Sequence, residues 1–214
     1  MTRSVGLIGG TGPEGRGLAA RFALAGLDAV IGSRAAERGA EAAREVTELT
    51  GRAVKGGTNE EAASADVVIV TVPYAAQAET LPPLSDAIGD RIVVSTVVPL
   101  RFTRARVSLP DVEGSAAEEM QALLPRARVV GAFHNLSARH LIEVSHAVDG
   151  DVIVCGDDAE AVDAVVELAG MIADVRGFKG GPLANCRYVE GMTALLINVN
   201  RLYKAETNVR IVGL

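Results

Sequence analysis

The chain has 214 residues, of which 49% are hydrophobic and 22% charged, and its formal net charge is −6. This composition excludes an intrinsically disordered chain, because such chains combine low hydrophobicity with high net charge. The acidic balance argues against a broad nucleic-acid-binding surface, and no apolar run reaches the roughly 18 residues that span a bilayer.

Short aliphatic runs alternate along the chain with segments rich in Ala and Glu. The runs predict strands at 5–8, 29–32, 66–72, 91–96, 128–132 and 151–155, and the segments between them predict helices at 13–25, 36–50, 59–65, 75–88, 115–124 and 159–172. Runs that are apolar at consecutive positions suit strands buried on both faces. The alternation therefore predicts an α/β fold, a Rossmann-type doubly wound parallel sheet with a C-terminal helical extension.

A stretch rich in glycine and proline at 177–182 predicts a hinge before a last helix at about 185–203. We therefore expect a dinucleotide-binding Rossmann domain at 1–178 and a C-terminal helical extension at 179–214. The extension is too short to be a domain by itself. We expect it to close the cleft or to form a dimer interface.

The two cysteines, Cys155 and Cys186, belong to no CxxC or Cys/His pattern. Their spacing argues against a structural zinc site and against a disulfide framework, and we expect no metal. The chain begins a predicted strand almost at once, without a basic leader or an apolar signal segment. We therefore expect reduced thiols in a cytoplasmic protein.

A glycine-rich turn follows the first predicted strand and opens the first predicted helix. It contains the pattern GxGxxG, within a strand-helix-strand unit of about 30 residues, which is the context that a dinucleotide site requires. Gly10 would make the tight turn, Gly12 would let the backbone approach a pyrophosphate, and Gly15 would let the helix pack closely on the strand. The alternative is a tight turn that happens to be rich in glycine. The predicted cofactor-binding residues here are Gly10, Thr11, Gly12, Pro13, Glu14 and Gly15.

The end of the second strand indicates which dinucleotide binds. An NAD site usually places an acidic residue there, but this chain has Ser33 and Arg34, with Arg38 one helical turn later. A carboxylate would repel a 2′-phosphate, whereas arginine and serine side chains can bind it through charge-assisted hydrogen bonds. The pattern favours NADP. The alternative is a solvated helix face on which the arginines neighbour Glu37 and Glu41.

Three further segments follow predicted strands, where ligands of open α/β sheets bind. Val72, Pro73 and Tyr74 end one strand, residues 96–100 follow another, and residues 134–136 (His134, Asn135 and Leu136) follow a third. We expect these segments to meet in one crevice.

Taken in chain order, these motifs resemble those of the coenzyme F420-dependent NADP oxidoreductases, also called NADPH:F420 reductases. The motifs are the glycine turn and the segments 32–34, 72–74, 98–100, 114–118, 154–158 and 181–183. They run in order from residue 5 to residue 214, so the resemblance covers nearly the whole chain.

The resemblance implies reversible hydride transfer between NADP(H) and the 5-deazaflavin of coenzyme F420, in a homodimer. It assigns NADP binding to Thr11, Ser33, Arg34 and Arg38, and it makes Arg187 a candidate partner for the anionic tail of the deazaflavin. Val72, Pro73 and residues 134–136 would line the two rings, and Tyr74 stands where the family often has Trp.

His134 is the candidate catalytic residue, since it could hydrogen-bond a ring carbonyl or stabilise charge on the reduced deazaflavin; the alternative is a structural histidine. Two other functions stay open. The segment 101–113 differs from the family pattern where an acceptor loop would lie, so another acceptor, such as ferric iron, a flavin or an imine, is one alternative. A non-catalytic NADP(H) redox sensor is the other, because a Rossmann fold alone does not establish turnover.

Overall fold

The computed structural model describes residues 4–110 and 114–213. Within them the strands are β1 (Ser4–Ile8), β2 (Asp28–Ser33), β3 (Lys55–Thr58), β4 (Val67–Val70), β5 (Ile92–Ser95), β6 (Arg101–Phe102), β7 (Val107–Ser108), β8 (Arg128–Gly131), β9 (Gly150–Gly156) and β10 (Val175–Gly181). The helices are α1 (Pro13–Leu24), α2 (Ala36–Thr50), α3 (Asn59–Ala63), α4 (Tyr74–Thr80), α5 (Ser85–Ile88), α6 (Ala116–Leu123), α7 (Ala138–Ile142), α8 (Ala159–Gly170) and α9 (Cys186–Tyr203).

The main sheet has the strand order β3-β2-β1-β4-β5-β8-β9-β10. Its first six strands are parallel, in the order of a Rossmann fold, which confirms the predicted fold class. β9 runs antiparallel to β8, and β10 runs parallel to β9. The sheet is therefore mostly parallel, with one antiparallel pair near this edge. The chain between β8 and β9 enters β9 at the edge where β8 ends, without the return crossover that a parallel pair needs.

The core lies on both faces of the sheet, as the consecutive apolar runs of the central strands predict. On one face, α1, α2, α7 and α8 pack on alternate side chains of the strands, with Phe22 and Phe133 in edge-to-face contact at 5.9 Å. On the other face, α3, α5, α6 and the start of α9 cover the remaining side chains. Both faces are therefore closed, and the carboxyl edge of the sheet is left for a ligand.

Two predicted boundaries are wrong. The helix predicted at 75–88 is divided into α4, a 3-10 turn at Pro82–Leu84, and α5. Two consecutive prolines cause the break, because each lacks an N–H and its ring clashes with the preceding turn. The hinge predicted at 177–182 is β10 up to Gly181, so the domain boundary predicted after residue 178 falls inside a strand of the main sheet.

The C-terminal part begins with α9, within one residue of its predicted start, and continues in an extended tail at 205–213. Asp151, which is fully buried in β9, holds this tail. Its carboxylate pairs with Arg176 at 2.8 Å and accepts a hydrogen bond from the backbone N–H of Ile211. In the part of the chain that the structure describes, no helix combines the length and apolar character needed to cross a membrane.

Candidate active site

A cavity of about 720 Å³ lies beyond the carboxyl ends of β1, β4, β5 and β8. This is the crevice where open α/β sheets bind ligands, at the point where the strand order reverses. Helix α9 forms its opposite wall with Thr193, Leu196, Ile197 and Asn200. Glu206 of the C-terminal tail lies at its rim.

Most of the residues expected in the crevice line this cavity. They are Thr11, Gly12, Pro13, Glu14, Val72, Pro73, Tyr74, Thr96, Val97, Val98, Leu100, His134, Asn135 and Leu136. Six predicted site residues lie outside its lining: Gly10, Gly15, Ser33, Arg34, Arg38 and Arg187. The first five surround the glycine turn and the adjoining end of β2, whereas Arg187 belongs to a different surface.

The three glycines of the GxGxxG pattern have different structural surroundings. The N–H of Gly10 donates to the carbonyls of Leu7 and Gly32 at 3.2 and 3.0 Å, and a Cβ there would lie 2.8 Å from Cβ of Leu7. A Cβ at Gly15 would lie 2.4 Å from Cα of Gly10. Gly12 has no neighbour within 4 Å of the same position. Packing therefore requires Gly10 and Gly15, and Gly12 leaves space at the cavity.

The N-terminus of α1 opens into the cavity at Gly12. Gly12 is the N-cap residue, no side chain caps the first turn, and Pro13 occupies its start. The amides of an uncapped first turn and the helix dipole bind anions. The uncapped turn and the open Cβ position of Gly12 together fit a pyrophosphate.

Glu14 lies in the same turn and also lines the cavity. Its Oε1 atom is buried and has no hydrogen-bond partner among the described residues. Burial raises the pKa of this carboxyl to about 8. Glu14 is therefore protonated at neutral pH and does not repel an anion at the turn.

Asn59 positions the glycine turn, a role that no sequence pattern indicated. Its Oδ1 accepts a hydrogen bond of 3.0 Å from the N–H of Gly9, across 50 residues of chain. Gly9 has a φ of 69°, and a Cβ there would lie 2.5 Å from Cγ1 of Val72. Asn59 is buried at the start of α3, where Thr58 and Glu61 form a capping box. The junction between β3 and α3 thus holds the glycine turn in place.

The end of β2 carries two exposed cations. The side chains of Arg34 and Arg38 are exposed and make no hydrogen bond or ion pair with any described residue, Glu37 and Glu41 included, so the 2′-phosphate role and the solvated helix face both stay predictions. Ser33 is buried and its Oγ accepts from the N–H of Ala35 at 3.4 Å. Both guanidinium groups are therefore free to bind an anion beside the turn.

His134 is 6% exposed and lines the cavity. Neither ring nitrogen has a partner among the described residues. Burial lowers its pKa to about 4, so the imidazole is neutral at physiological pH. A neutral ring still has one N–H donor, so hydrogen bonding to a ring carbonyl and stabilisation of charge on the reduced deazaflavin both stay predictions.

Tyr74 is held in the cavity wall by α6. Its hydroxyl donates a hydrogen bond of 2.8 Å to Oε1 of Glu119, and this bond, with partial burial, raises the pKa of the phenol. The buried Glu190 of α9 accepts hydrogen bonds from the N–H groups of Ala116 and Ala117. Burial raises the pKa of Glu190 to about 7. Helix α6 thus fixes both an aromatic wall residue and the covering helix.

Arg187 and the described part of the segment 101–113 lie outside the cavity lining, and the roles predicted for them stay predictions. Arg187 is exposed, lies over the ring of Tyr188 at 5.8 Å, and does not reach the cavity. Residues 101–110 include the β6–β7 hairpin, which Asn198 of α9 holds through both backbone polar groups of Val107, and none of them lines the cavity. Residues 111–113 lie outside the described residues.

Several lining residues had no part in the predictions. Thr193, Leu196, Ile197 and Asn200 follow a spacing of three and four, which is the helical periodicity that could have identified this face of α9. Arg139 of α7 carried no such signal.

Within residues 4–110 and 114–213 no group of three or more His, Cys, Asp or Glu side chains could hold a metal ion.

Comparison with known proteins links this geometry to one family. Residues 4–99 match the family model described as NADP oxidoreductase, coenzyme F420-dependent. An F420-dependent NADP reductase of Methanothermobacter thermautotrophicus is 44% identical, with 94% of this chain and 90% of that protein covered. One of Methanocaldococcus jannaschii is 38% identical, with 98% of each chain covered. A solved structure of an Arthrobacter sp. FB24 protein has a TM-score of 0.82 at 22% identity, over 100% of both chains, and shows the same fold.

Proposed function

The chain belongs to the family of coenzyme F420-dependent NADP oxidoreductases, and from this premise we propose that its cavity transfers a hydride between NADP(H) and coenzyme F420. One observation carries the proposal: a single cavity joins an uncapped helix N-terminus to a covered, largely apolar chamber at the end of β8. When bound, the nicotinamide and the deazaflavin exchange the hydride reversibly. The protein contributes their relative position and the exclusion of water.

The NADP half of the site uses the glycine turn and the end of β2. Gly12 and the first turn of α1 bind the pyrophosphate, with Glu14 protonated beside it. Arg34 and Arg38, assisted by Ser33, bind the 2′-phosphate through charge-assisted hydrogen bonds. The free guanidinium groups and the lack of an acidic residue at this strand end support NADP over NAD.

The deazaflavin half uses the ends of β4, β5 and β8 together with α9. Val72, Pro73 and Tyr74 form one wall beside the nicotinamide, and residues 134–136 with α9 form the other. The buried, neutral His134 offers one N–H donor and one acceptor to a ring, not a charge. The apolar side chains Leu196 and Ile197 keep water from the ring.

The assay is NADPH oxidation by the purified protein, followed at the visible absorption band of coenzyme F420 and repeated with NADH. We expect rapid bleaching with NADPH and much slower bleaching with NADH. Turnover with a ferric chelate, a flavin or a cyclic imine, but not with F420, would contradict the deazaflavin assignment. Tight NADPH binding without turnover in any of these acceptors would favour the redox sensor.

We further propose that the protein forms a homodimer in the cytoplasm. Tyr188, Met192, Leu195, Val199 and Leu202 follow a heptad-like spacing along the face of α9 that points away from the cavity. The first, third and last of these are 68%, 60% and 74% exposed. A second copy of the same helix is the complementary partner for such a stripe, since a two-fold interface joins a surface to itself. The two free cysteines suit a reducing compartment.

A further inference from the structure

Asn135 is the one residue of segment 134–136 whose side chain is anchored in α9. It follows β8, lines the cavity and is 6% exposed. Its Nδ2 donates hydrogen bonds to the carbonyl of Val189 at 3.1 Å and to Oγ1 of Thr193 at 2.9 Å. Both hydrogens of the amide are therefore used by one helix.

The hydrogen-bond network fixes which way this amide points. The hydroxyl of Thr193 has its own acceptors in the carbonyls of His134 at 2.9 Å and Val189 at 3.3 Å, and it accepts from Asn135. The carbonyl of Val189 can only accept. If the amide were reversed, its Oδ1 would face this carbonyl without a proton between them. The orientation with Nδ2 towards α9 is therefore favoured, and Oδ1, on the other branch of the planar amide, is left without these partners.

Oδ1 of Asn135 has no donor among the described residues, although it is buried. Buried acceptors are nearly always paired, and one without a donor is costly unless a ligand or an ordered water supplies the donor. The residue lies in the cavity wall, so a ligand in the cavity is the available source. An N–H group of a ligand in the cavity would supply the missing donor.

Strand order decides which end of the cavity this acceptor serves. β8 is three strands from β1 in the order β1-β4-β5-β8. With neighbouring strands about 4.8 Å apart, Asn135 lies about 14 Å from the glycine turn across the sheet. The pyrophosphate binds at the turn, and the nicotinamide extends towards the end of β4. The end of β8 and the face of α9 are then left to the second ring.

We propose that Oδ1 of Asn135 accepts the imide N–H of the deazaflavin pyrimidinedione, between its two ring carbonyls, and thereby positions and selects the hydride acceptor. The inference rests on the proposed function. It predicts selectivity for heteroaromatic acceptors that carry an unsubstituted imide. The carboxamide N–H of the nicotinamide offers the same chemistry, so the test has to separate the two cofactors.

The test compares F420 with an analogue methylated at the imide nitrogen, in the wild-type protein and in Asn135→Ala. Dissociation constants come from deazaflavin fluorescence, and KM and kcat come from NADPH oxidation. The wild type is expected to bind the methylated analogue at least about tenfold more weakly, the change that loss of one buried hydrogen bond produces. In Asn135→Ala the two deazaflavins should bind equally, with the KM for F420 raised about tenfold and the Kd for NADPH unchanged.

Thr193→Val is the matched control, because it removes one anchor of the amide in α9 and keeps Oδ1 of Asn135. Its ratio between the two deazaflavins should stay near that of the wild type. If Asn135→Ala still discriminates against the methylated analogue, or if its NADPH affinity falls while its F420 affinity does not, the proposal is overturned.

The binding measurement also separates this inference from the proposed function. If the wild-type protein discriminates between the deazaflavins in binding but does not oxidise NADPH with F420, the proposed function is contradicted and the Asn135 contact is supported. If it oxidises NADPH with F420 but does not discriminate, the function is supported and the contact is contradicted. A protein that binds neither deazaflavin loses both.

Discussion

Arg34 tests the 2′-phosphate assignment, since it is exposed and has no partner in the described protein. Its guanidinium contributes a charge-assisted contact to NADPH that NADH lacks, so Arg34→Ala should weaken NADPH binding by about 10- to 100-fold and leave NADH unchanged. Titration of both cofactors by fluorescence measures this. Arg44→Ala, which changes an exposed arginine of α2 further along the chain, should alter neither. Equal losses for both cofactors would remove the 2′-phosphate from this site.

Gly12 separates cofactor binding from folding. A Cβ there meets nothing within 4 Å, and φ and ψ of −78° and 171° suit any residue, so Gly12→Val should lower the unfolding free energy by no more than the about 1 kcal/mol that a poorer N-cap costs. The added side chain would occupy the space for the pyrophosphate, and NADPH affinity should fall at least about tenfold. Gly170→Val, also at an open position, serves as the control for both measurements. An unchanged affinity in the folded Gly12 variant contradicts the assignment.

Glu14 should make NADPH binding sensitive to alkaline pH. Its raised pKa, about 8, keeps it neutral at pH 7, whereas ionisation above this value places a negative charge beside the pyrophosphate. Affinity should therefore fall as pH rises through the pKa, by up to about tenfold per pH unit. Glu14→Gln, which cannot ionise, should give a flat profile, and the exposed Glu37→Gln should follow the wild type. A wild-type affinity independent of pH over this range would refute the interpretation.

The carboxyl of Glu14 also makes the stability of the fold depend on pH. The folded-state pKa of Glu14 lies above its unfolded value of 4.5, so its contribution is fully present below pH 4.5 and is lost as pH rises towards 8. His134 acts in the opposite direction. Its folded pKa of about 4 lies below the ordinary 6.5, so its contribution is present above pH 6.5 and is lost as pH falls towards 4.

At the scale of elements, strands and helices with strong patterns were predictable and those with weak patterns were not. The apolar runs of β1, β4, β5 and β8 identified the centre of the sheet, and Asp158 caps α8 as its position before a helical segment indicates. β3 and β10 were missed because glycines replace the expected alternation. α7 was missed because it lacks the Ala- and Glu-rich composition that identified α3, a helix of the same length. The reversed direction of β9 has no signal in its own sequence, since an apolar run reads alike in either direction.

The residues of the site were likewise predictable in part. The glycine turn and the strand ends were predictable because they are local in sequence. Asn59, Glu119 and Glu190 were not, because each acts on a residue at least 45 positions away. Their partners are brought together only by the packing of whole helices on the sheet.

Arg21 holds α7 against α1 and so couples the two ends of the cavity. Its side chain is 5% exposed and donates to the carbonyls of His140, Leu141, Glu143 and His146 at 2.7–3.0 Å. One turn earlier, a Cβ at Gly17 would lie 2.5 Å from Cβ of Leu141, so the helices are in close contact. Helix α1 presents the proposed pyrophosphate site, and the segment around α7 presents the wall that includes Ser137 and Arg139.

Arg21→Met should therefore destabilise the fold by about 3 kcal/mol, because it leaves one buried and three partly buried carbonyls without their donor. Arg21→Lys retains three N–H donors and should lose less. Urea unfolding measures both variants. A loss below about 0.5 kcal/mol for the methionine variant would show that water or backbone movement satisfies the carbonyls.

At the scale of the whole molecule, the two faces of α9 have different tasks. The inner face, with Thr193, Leu196 and Ile197, closes the cavity, and Glu190 and Asn198 fasten the helix to α6 and to the hairpin. The tail that follows is pinned by Asp151 in β9. The covering helix is therefore held at its start, its middle and its end, and its outer face is the part left for a partner.

The dimer proposal is tested at the centre of that outer face. Leu195 is 60% exposed, and near a two-fold axis it would meet its own copy. Leu195→Glu removes two leucines from the interface and places like charges opposite each other, so the dimer dissociation constant should rise at least about a hundredfold. Sedimentation equilibrium at micromolar concentration should show a wild-type dimer and a monomeric variant. Leu49→Glu, which changes an exposed leucine of α2, should stay dimeric. A monomeric wild type, or a Leu195 variant that stays dimeric, would exclude this face as the interface.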